Sequence, residues 1–262
     1  MKTGLFYFTG TGNSLFVARA IENEIGNTDM ISIPQALLDR EFLYEFDEVG
    51  FVFPTYYGGL PVMVERFIEK IELPRVRYIF AVTTKGSSMS YNTIKNLDRI
   101  LDDLGYLLNY GKALQLPNNY IRKKNWRKSN KSRKSILSRD VELKKIVMDI
   151  KTLEDNSTKK STLQGRIAEV FYKGWQRGLR HTDRSFTSAG VCMDCHICEV
   201  VCPSNNIRVE DEVPKWHGKC QDCMACIQVC PSKNIQIGEY TKGKERYINP
   251  FVDIKDIMDS NR

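Results

Sequence analysis

Histidine is scarce in this 262-residue chain, which has only His181, His196 and His217. No Ser-His-Asp, Cys-His or histidine-metal constellation forms around them and no pair of carboxylates stands out, so hydrolytic chemistry has no support. Long apolar runs are missing too: no stretch approaches the ~20 residues of a membrane span. The run Leu5-Phe6-Tyr7-Phe8 is too brief for the core of a secretion signal, and a soluble protein is expected. No Gly-Lys-Ser/Thr closes a Walker loop, and no recognised nucleic-acid module is present. Cysteine is absent outside the window from Cys192 to Cys230.

Inside that window stand eight cysteines, in two copies of C-x2-C-x2-C-x3-C-P. The first copy is Cys192, Cys195, Cys198, Cys202 and Pro203; the second, 28 residues on, is Cys220, Cys223, Cys226, Cys230 and Pro231. This spacing suits a cubane 4Fe-4S cluster. Paired structural zinc sites are the alternative, but zinc usually joins two C-x2-4-C knuckles across a longer gap. Likeness between the copies continues through Pro203-Ser204-x-Asn206-Ile207 and Pro231-Ser232-x-Asn234-Ile235. The repeat resembles the two-cluster bacterial ferredoxins. That resemblance implies crossed ligation, with Cys192, Cys195, Cys198 and Cys230 on one cluster and Cys202, Cys220, Cys223 and Cys226 on the other. All the cysteines are then used, none is left for disulfides, and thiolate-bound iron predicts a reducing, cytoplasmic setting. Met193, Ile197 and Met224 are expected to cover the clusters from water. His196, between two ligands, is a candidate tuner of potential, though a histidine beside a cluster is more often incidental.

The opening residues carry a different signal. Leu5 to Phe8 reads as a buried strand, Thr9 to Ser14 as a polar turn, and Leu15, Phe16, Ala18, Ile21 and Ile25 as the apolar side of a helix. A strand-loop-helix unit binds phosphate through free N–H groups at the helix N-terminus, so no Lys or Arg is required. Thr9, Thr11, Asn13 and Ser14 add hydroxyl and amide donors. A dinucleotide fingerprint fits poorly, because Leu15 stands where a small residue is needed and Ile31-Ser32-Ile33-Pro34 supplies no acid. Phe6 to Asn13 with Ser14, then Ala18 and Ile21, resembles the flavodoxin signature, whose loop binds the phosphate of FMN; Ser14 stands where many members have Thr.

Further strands are predicted at Glu48 to Pro54, Tyr78 to Thr84 and Leu107 to Leu116, with helices at Pro61 to Lys70 and Thr93 to Leu104. The alternation predicts a flavodoxin-like doubly wound α/β fold, with ligand loops at the carboxyl ends of its parallel strands. The cofactor candidates are Thr9, Gly10, Thr11, Gly12, Asn13 and Ser14 after the first strand, and Pro54, Thr55, Tyr56, Tyr57, Gly58 and Gly59 after the third. Thr83, Thr84, Lys85, Gly86 and Ser87, running on to Ser88, follow the fourth. By the flavodoxin resemblance the last two loops hold the isoalloxazine ring, Tyr56 or Tyr57 stacks on it, and the Gly58-Gly59 peptide can turn its carbonyl to flavin N5.

Charge is uneven. Residues 119–190 hold 19 Lys and Arg against 7 Asp and Glu, a net +12, which leaves −5 on the remainder of a chain totalling +7. Residues 121–134 carry no acid and no periodicity, and read as an exposed basic loop. Solvated surface is the plainest explanation; docking of an acidic redox partner is the functional one, ahead of nucleic acid. Ile136, Leu143, Ile146, Val147, Ile150 and Leu153 trace one helix face, and Leu163, Ile167, Val170, Phe171, Gly174 and Trp175 trace another. One of these helices is expected to close the sheet layer, and its companion to brace the cysteine module.

The expected organisation is a flavodoxin-like FMN domain over 1–180, including a basic connector at 119–180, and a ferredoxin-like domain over 181–262. Taken together the chain resembles a flavodoxin-ferredoxin fusion family of anaerobic microbes. That resemblance implies an electron-transfer protein relaying electrons between FMN and two 4Fe-4S clusters, to or from a redox protein. The alternatives are an FMN-dependent reductase of a small substrate fed by the clusters, with Tyr56, Tyr57 and Lys85 at the flavin, and a protein whose clusters are structural.

Overall fold

A computed structural model describes residues 1–87, 92–122, 129–156, 163–188 and 190–261, with side chains at all of these except 129–131, 163–169 and 180. Five parallel strands form the main sheet: β1 (Thr3–Tyr7), β2 (Thr28–Ser32), β3 (Glu48–Pro54), β4 (Tyr78–Lys85) and β5 (Tyr110–Gln115), in the order β2-β1-β3-β4-β5. This is the flavodoxin-like order, with its switch point between β1 and β3. Central strands are apolar on both sides, as helices on both faces require; Leu5, Phe6, Phe51, Val52 and Phe53 are all fully buried.

Helices α1 (Asn13–Ile25), α2 (Ile33–Asp39), α3 (Val62–Ile68) and α4 (Thr93–Asp103) are the crossovers. The strand order reverses after β2, so right-handed connections put α1 on one face and α2, α3 and α4 on the other. The α2 helix is not expected from the sequence pattern. Ser32 ends β2 and starts it: its hydroxyl accepts the Gln35 N–H as an N-cap, and Pro34 occupies the first turn, where no N–H is needed.

The basic segment differs from the loop expected of it. Residues 123–128 lie outside the described residues, but helix α5 (Ser129–Leu137) already runs from Ser129. The periodic face from Ile136 to Leu153 is divided between α5 and α6 (Asp140–Lys151). The latter packs on α1 and β5 and closes the sheet layer. Next comes α7 (Leu163–Gly178), which leads through a 3-10 turn at Leu179–Ser185.

Two short antiparallel ladders flank the cysteine loops. Strand β6 (Phe186–Ser188) pairs with β9 (Ile235–Ile237), and β7 (Ile207–Glu210) pairs with β8 (Val213–Trp216). Each cysteine run contains a short helix, α8 (Ile197–Val200) and α9 (Ala225–Val229). The repeat of 28 residues extends to the backbone. Asp194 and Asp222, His196 and Met224, and Asn205 and Lys233 all have positive φ, between 49° and 62°. Helix α10 (Ile254–Asp259) returns to the sheet, where Asp256 pairs with Arg19 at 2.8 Å and the Tyr7 hydroxyl bonds to Ser260 at 3.1 Å. The sheet core takes in Val201, Cys223, Ala225 and Val229, so sheet and cysteine loops share apolar packing.

Candidate functional site

The carboxyl ends of β1, β3, β4 and β5 open into a cavity of about 580 Å³. Fourteen of the expected loop residues line it: Thr9, Gly10, Thr11, Asn13, Ser14, Pro54, Thr55, Tyr56, Tyr57, Gly58, Thr84, Lys85, Gly86 and Ser87. Gly12, Gly59 and Thr83 do not. Gly12, at φ 91°, turns the chain into α1, with Asn249 and Val252 behind it. Thr83 is fully buried within the sheet. Gly59 lies under the Tyr172 ring, where a Cβ would sit 2.4 Å from the nearest carbon. Ser88 lies outside the described residues.

Helix α1 begins at Gly12 without a side-chain cap, so its first turn faces the cavity with no built-in acceptor. The loop before it is held by its own groups. Gly12 N–H donates to Thr9 Oγ1 (3.0 Å), Asn119 Nδ2 donates to Thr11 Oγ1 (2.6 Å), and Ser14 Oγ meets Thr84 Oγ1 (2.9 Å). Asn13 is expected to offer an amide to a ligand, yet its side chain is largely engaged. Oδ1 accepts from Tyr247 Oη (2.6 Å) and Asn249 Nδ2 (3.0 Å), and Nδ2 donates to the Pro117 carbonyl (3.0 Å).

Tyr56 and Gly59 close a tight turn by exchanging backbone hydrogen bonds at 3.0 and 2.9 Å, with positive φ at both Tyr57 and Gly58. That is hairpin-turn geometry, and the only φ-positive residue in it with a side chain is Tyr57. Tyr57 stacks on Trp175 of α7, with centroids 5.1 Å apart, and its hydroxyl meets that of Tyr120. Tyr56 meets Trp175 edge-on, and its hydroxyl is sequestered with no hydrogen-bond partner among the described residues. Burial pushes the Tyr56 phenol well up, and nearby Cys223, Asp222 and Cys220 push it further. Helix α7 therefore roofs this turn, and it also reaches the second cysteine loop through Trp175 Nε1 to Asp222 (3.4 Å).

Several lining residues were not anticipated: Pro117, Asn118, Asn119 and Tyr120 after β5, Phe171 on α7, and Asp222, Cys223 and Met224. The loop after β5 was legible in principle, since every strand of a parallel sheet points its carboxyl end to the same side. The cysteine loop was not, because no local pattern joins residue 10 to residue 223. Asp222 is buried beside Arg122 at 3.3 Å; burial raises its carboxyl to about 6 against the pull of that guanidinium.

The cysteines fall into two quartets, and each run gives its last member to the other. Cys192, Cys195, Cys198 and Cys230 line one small cavity, with His196 between Asp194 and Glu199 at its edge. Cys202, Cys220, Cys223 and Cys226 form the second, close enough that Cys202 disfavours ionisation of the other three. The first quartet reaches the surface at Cys195; the second is interior, and Cys223 belongs both to it and to the sheet cavity. Burial, then neighbouring cysteines, push Cys198 up to about 12. Among the described residues, no three His, Cys, Asp or Glu close in around a single metal ion. No helix among them is long and apolar enough to cross a membrane.

No family model and no curated protein sequence matches the chain. Solved structures with similar folds include a flavodoxin from the domain Archaea, 15% identical, covering 58% of this chain and 97% of that one with a TM-score of 0.36. A Lactobacillus acidophilus flavoprotein in complex with FMN is 12% identical over 43% of this chain and 92% of its own, with a TM-score of 0.31. An NAD(P)H:quinone oxidoreductase from Methanothermobacter marburgensis is 9% identical over 61% and 99%, with a TM-score of 0.39. Likeness at this level carries no argument about chemistry. The fold class rests on strand order and direction.

Proposed function

We propose that the chain is an electron-transfer protein that holds FMN in the sheet cavity and a 4Fe-4S cluster on each cysteine quartet. The observation that carries this reading is the double membership of Cys223, which lines the cavity and stands in the interior quartet. When bound, a flavin takes one or two electrons and a 4Fe-4S cluster passes one, so the pair converts between two-electron and one-electron chemistry.

The residues suit both groups. The uncapped start of α1 and the hydroxyls of Thr9, Thr11 and Ser14 suit one phosphate without a cation. Gly10 lets the first loop lie directly against the Cys223 backbone, where a Cβ would meet the carbonyl oxygen at 2.5 Å. In the quartets, buried thiols that repel one another's charge hold as thiolates only against concentrated positive charge, which an iron-sulfur core supplies. Four thiolates on a cubane each take a different iron and need not converge on one point, as they would around zinc. The arrangement gives an order of cavity, interior quartet, outer quartet and surface at Cys195. Tyr56 and Trp175 pack edge to face at its first junction, where Trp175 reaches Asp222. An acidic redox partner suits the net positive charge of residues 121–134 through electrostatic steering.

Anaerobic purification tests the reading. Acid extraction should release FMN, and assay should find about eight iron and eight sulfide per chain. Recovery of FAD, or of no flavin, would remove the cavity assignment; zinc in place of iron would remove the relay.

A further inference from the structure

We propose that Arg246 is the shared counter-charge of the two cysteine quartets, set to favour the reduced state of both clusters. The inference rests on the cluster reading above and assigns a role to a residue outside both motifs. Arg246 lies in the tail, where Nη2 donates to the Ile235 carbonyl at 2.9 Å. Its Nε and Nη1 are sealed from solvent and have no hydrogen-bond partner among the described residues. Guanidinium does not lose its proton in proteins, so this half-buried side chain carries a fixed positive charge with two donors that are sealed and unused. Such a placement is costly unless negative charge lies near.

Among the described residues, no carboxylate is one of the charged groups that act on it. The charged groups that do are Cys230, of the outer quartet, and Cys226, of the interior one. Its anchor fits that position, since Ile235 lines the outer quartet's cavity and shares an apolar core with Cys226 and Cys198. Arg122, near the interior quartet, is different because Asp222 already pairs with it. A cluster on four thiolates is anionic, and each added electron increases its negative charge by one. A nearby cation and N–H donors to sulfur therefore stabilise the reduced form more than the oxidised one.

The test is a potentiometric titration of the anaerobic holoprotein, with dithionite as electron donor and electron spin resonance as readout. Arg246→Met keeps the stem and removes the charge. Both clusters should need about tenfold more reducing conditions for half-reduction, equivalent to 59 mV for a one-electron couple. Arg246→Lys keeps the charge and should restore most of that shift. Lys242→Met removes an exposed tail charge paired with Glu239, and should move neither potential. Should the Met variant not load iron, Arg246→Gln is neutral yet can still donate to Ile235 and carries the same expectation. Unmoved potentials in a fully loaded neutral variant would overturn the assignment, and a shift in one cluster alone would overturn the shared role. Absence of iron and sulfide from the wild type is a separate outcome, which removes the cluster reading itself.

Discussion

Gly10 and Cys223 touch: a Cβ on Gly10 would lie 2.5 Å from the Cys223 carbonyl oxygen. The contact joins the first loop of the sheet cavity to the interior quartet, and backbone on the far side leaves little room to yield. Gly10→Ala should therefore act at both sites. Overpacking of this kind costs about 1–3 kcal/mol. FMN affinity should fall, and the spin-resonance signal of the interior cluster should change while the outer one stays. Fluorescence titration with FMN and spectra of the reduced protein would check both; an affinity loss with an unaltered interior signal would separate the two sites.

Crossing of the quartets gives a sharper expectation. Cys202 follows Cys198 in sequence but faces Cys220, Cys223 and Cys226. Cys202→Ala and Cys223→Ala should leave the same surviving cluster, and Cys230→Ala should match Cys195→Ala. Paired spectra decide it. A Cys202→Ala spectrum that matched Cys195→Ala would return each cluster to its own run.

Glu65 provides a pH dependence away from the cysteines. Its carboxylate accepts from Tyr172 Oη (3.0 Å) and Gln176 Nε2 (2.5 Å), fastening α7 over the cavity turn. Burial raises its pKa above the ordinary 4.5, and Glu69 adds to this, against those hydrogen bonds. A raised folded value means that the folded state holds the proton more tightly than the unfolded one. The stabilisation is complete below 4.5 and is lost as pH rises through the folded value. Wild type should lose stability relative to Glu65→Gln as pH climbs above 4.5, in thermal melts across a pH series. A constant difference between the two would contradict it.

The sheet was legible because its signals are local. Phe51, Val52 and Phe53 read as a strand buried on both faces, and the Gly-Thr-Gly turn before Leu15 reads as a loop entering a helix. Spacing marked out the two cysteine runs, and their crossed grouping was what the resemblance to two-cluster ferredoxins implies. What escaped was long-range: Tyr172 over Gly59, Asp222 beside Arg122, and the tail behind Gly12. These contacts depend on how separate segments pack, and Trp175 looks like any apolar helix position until Tyr57 is stacked on it. Helix α2 escaped for the opposite reason, since its start depends on one serine hydroxyl and one proline inside an apolar run.

The tail behind Gly12 makes Asn13 a scaffold residue more than a ligand donor, and the two roles predict different variants. Tyr247 reaches Asn13 through its hydroxyl, while its N–H donates to Gln228 Oε1 at 2.7 Å. Gln228, in α9, donates in turn to the Asn119 carbonyl at 2.7 Å. First loop, fifth loop and cysteine helix are thus held by one buried network. Tyr247→Phe removes the hydroxyl's bond to Asn13 and should cost about 1 kcal/mol; Asn13→Ala strands several buried partners and should cost about 2–3 kcal/mol. Both losses should appear in melts of flavin-free protein, and both variants should bind FMN more weakly because the loop loses its shape. If Asn13 instead contributed only a direct contact to phosphate, Asn13→Ala would weaken FMN binding with flavin-free stability unchanged. Tyr247→Phe would then bind as wild type does.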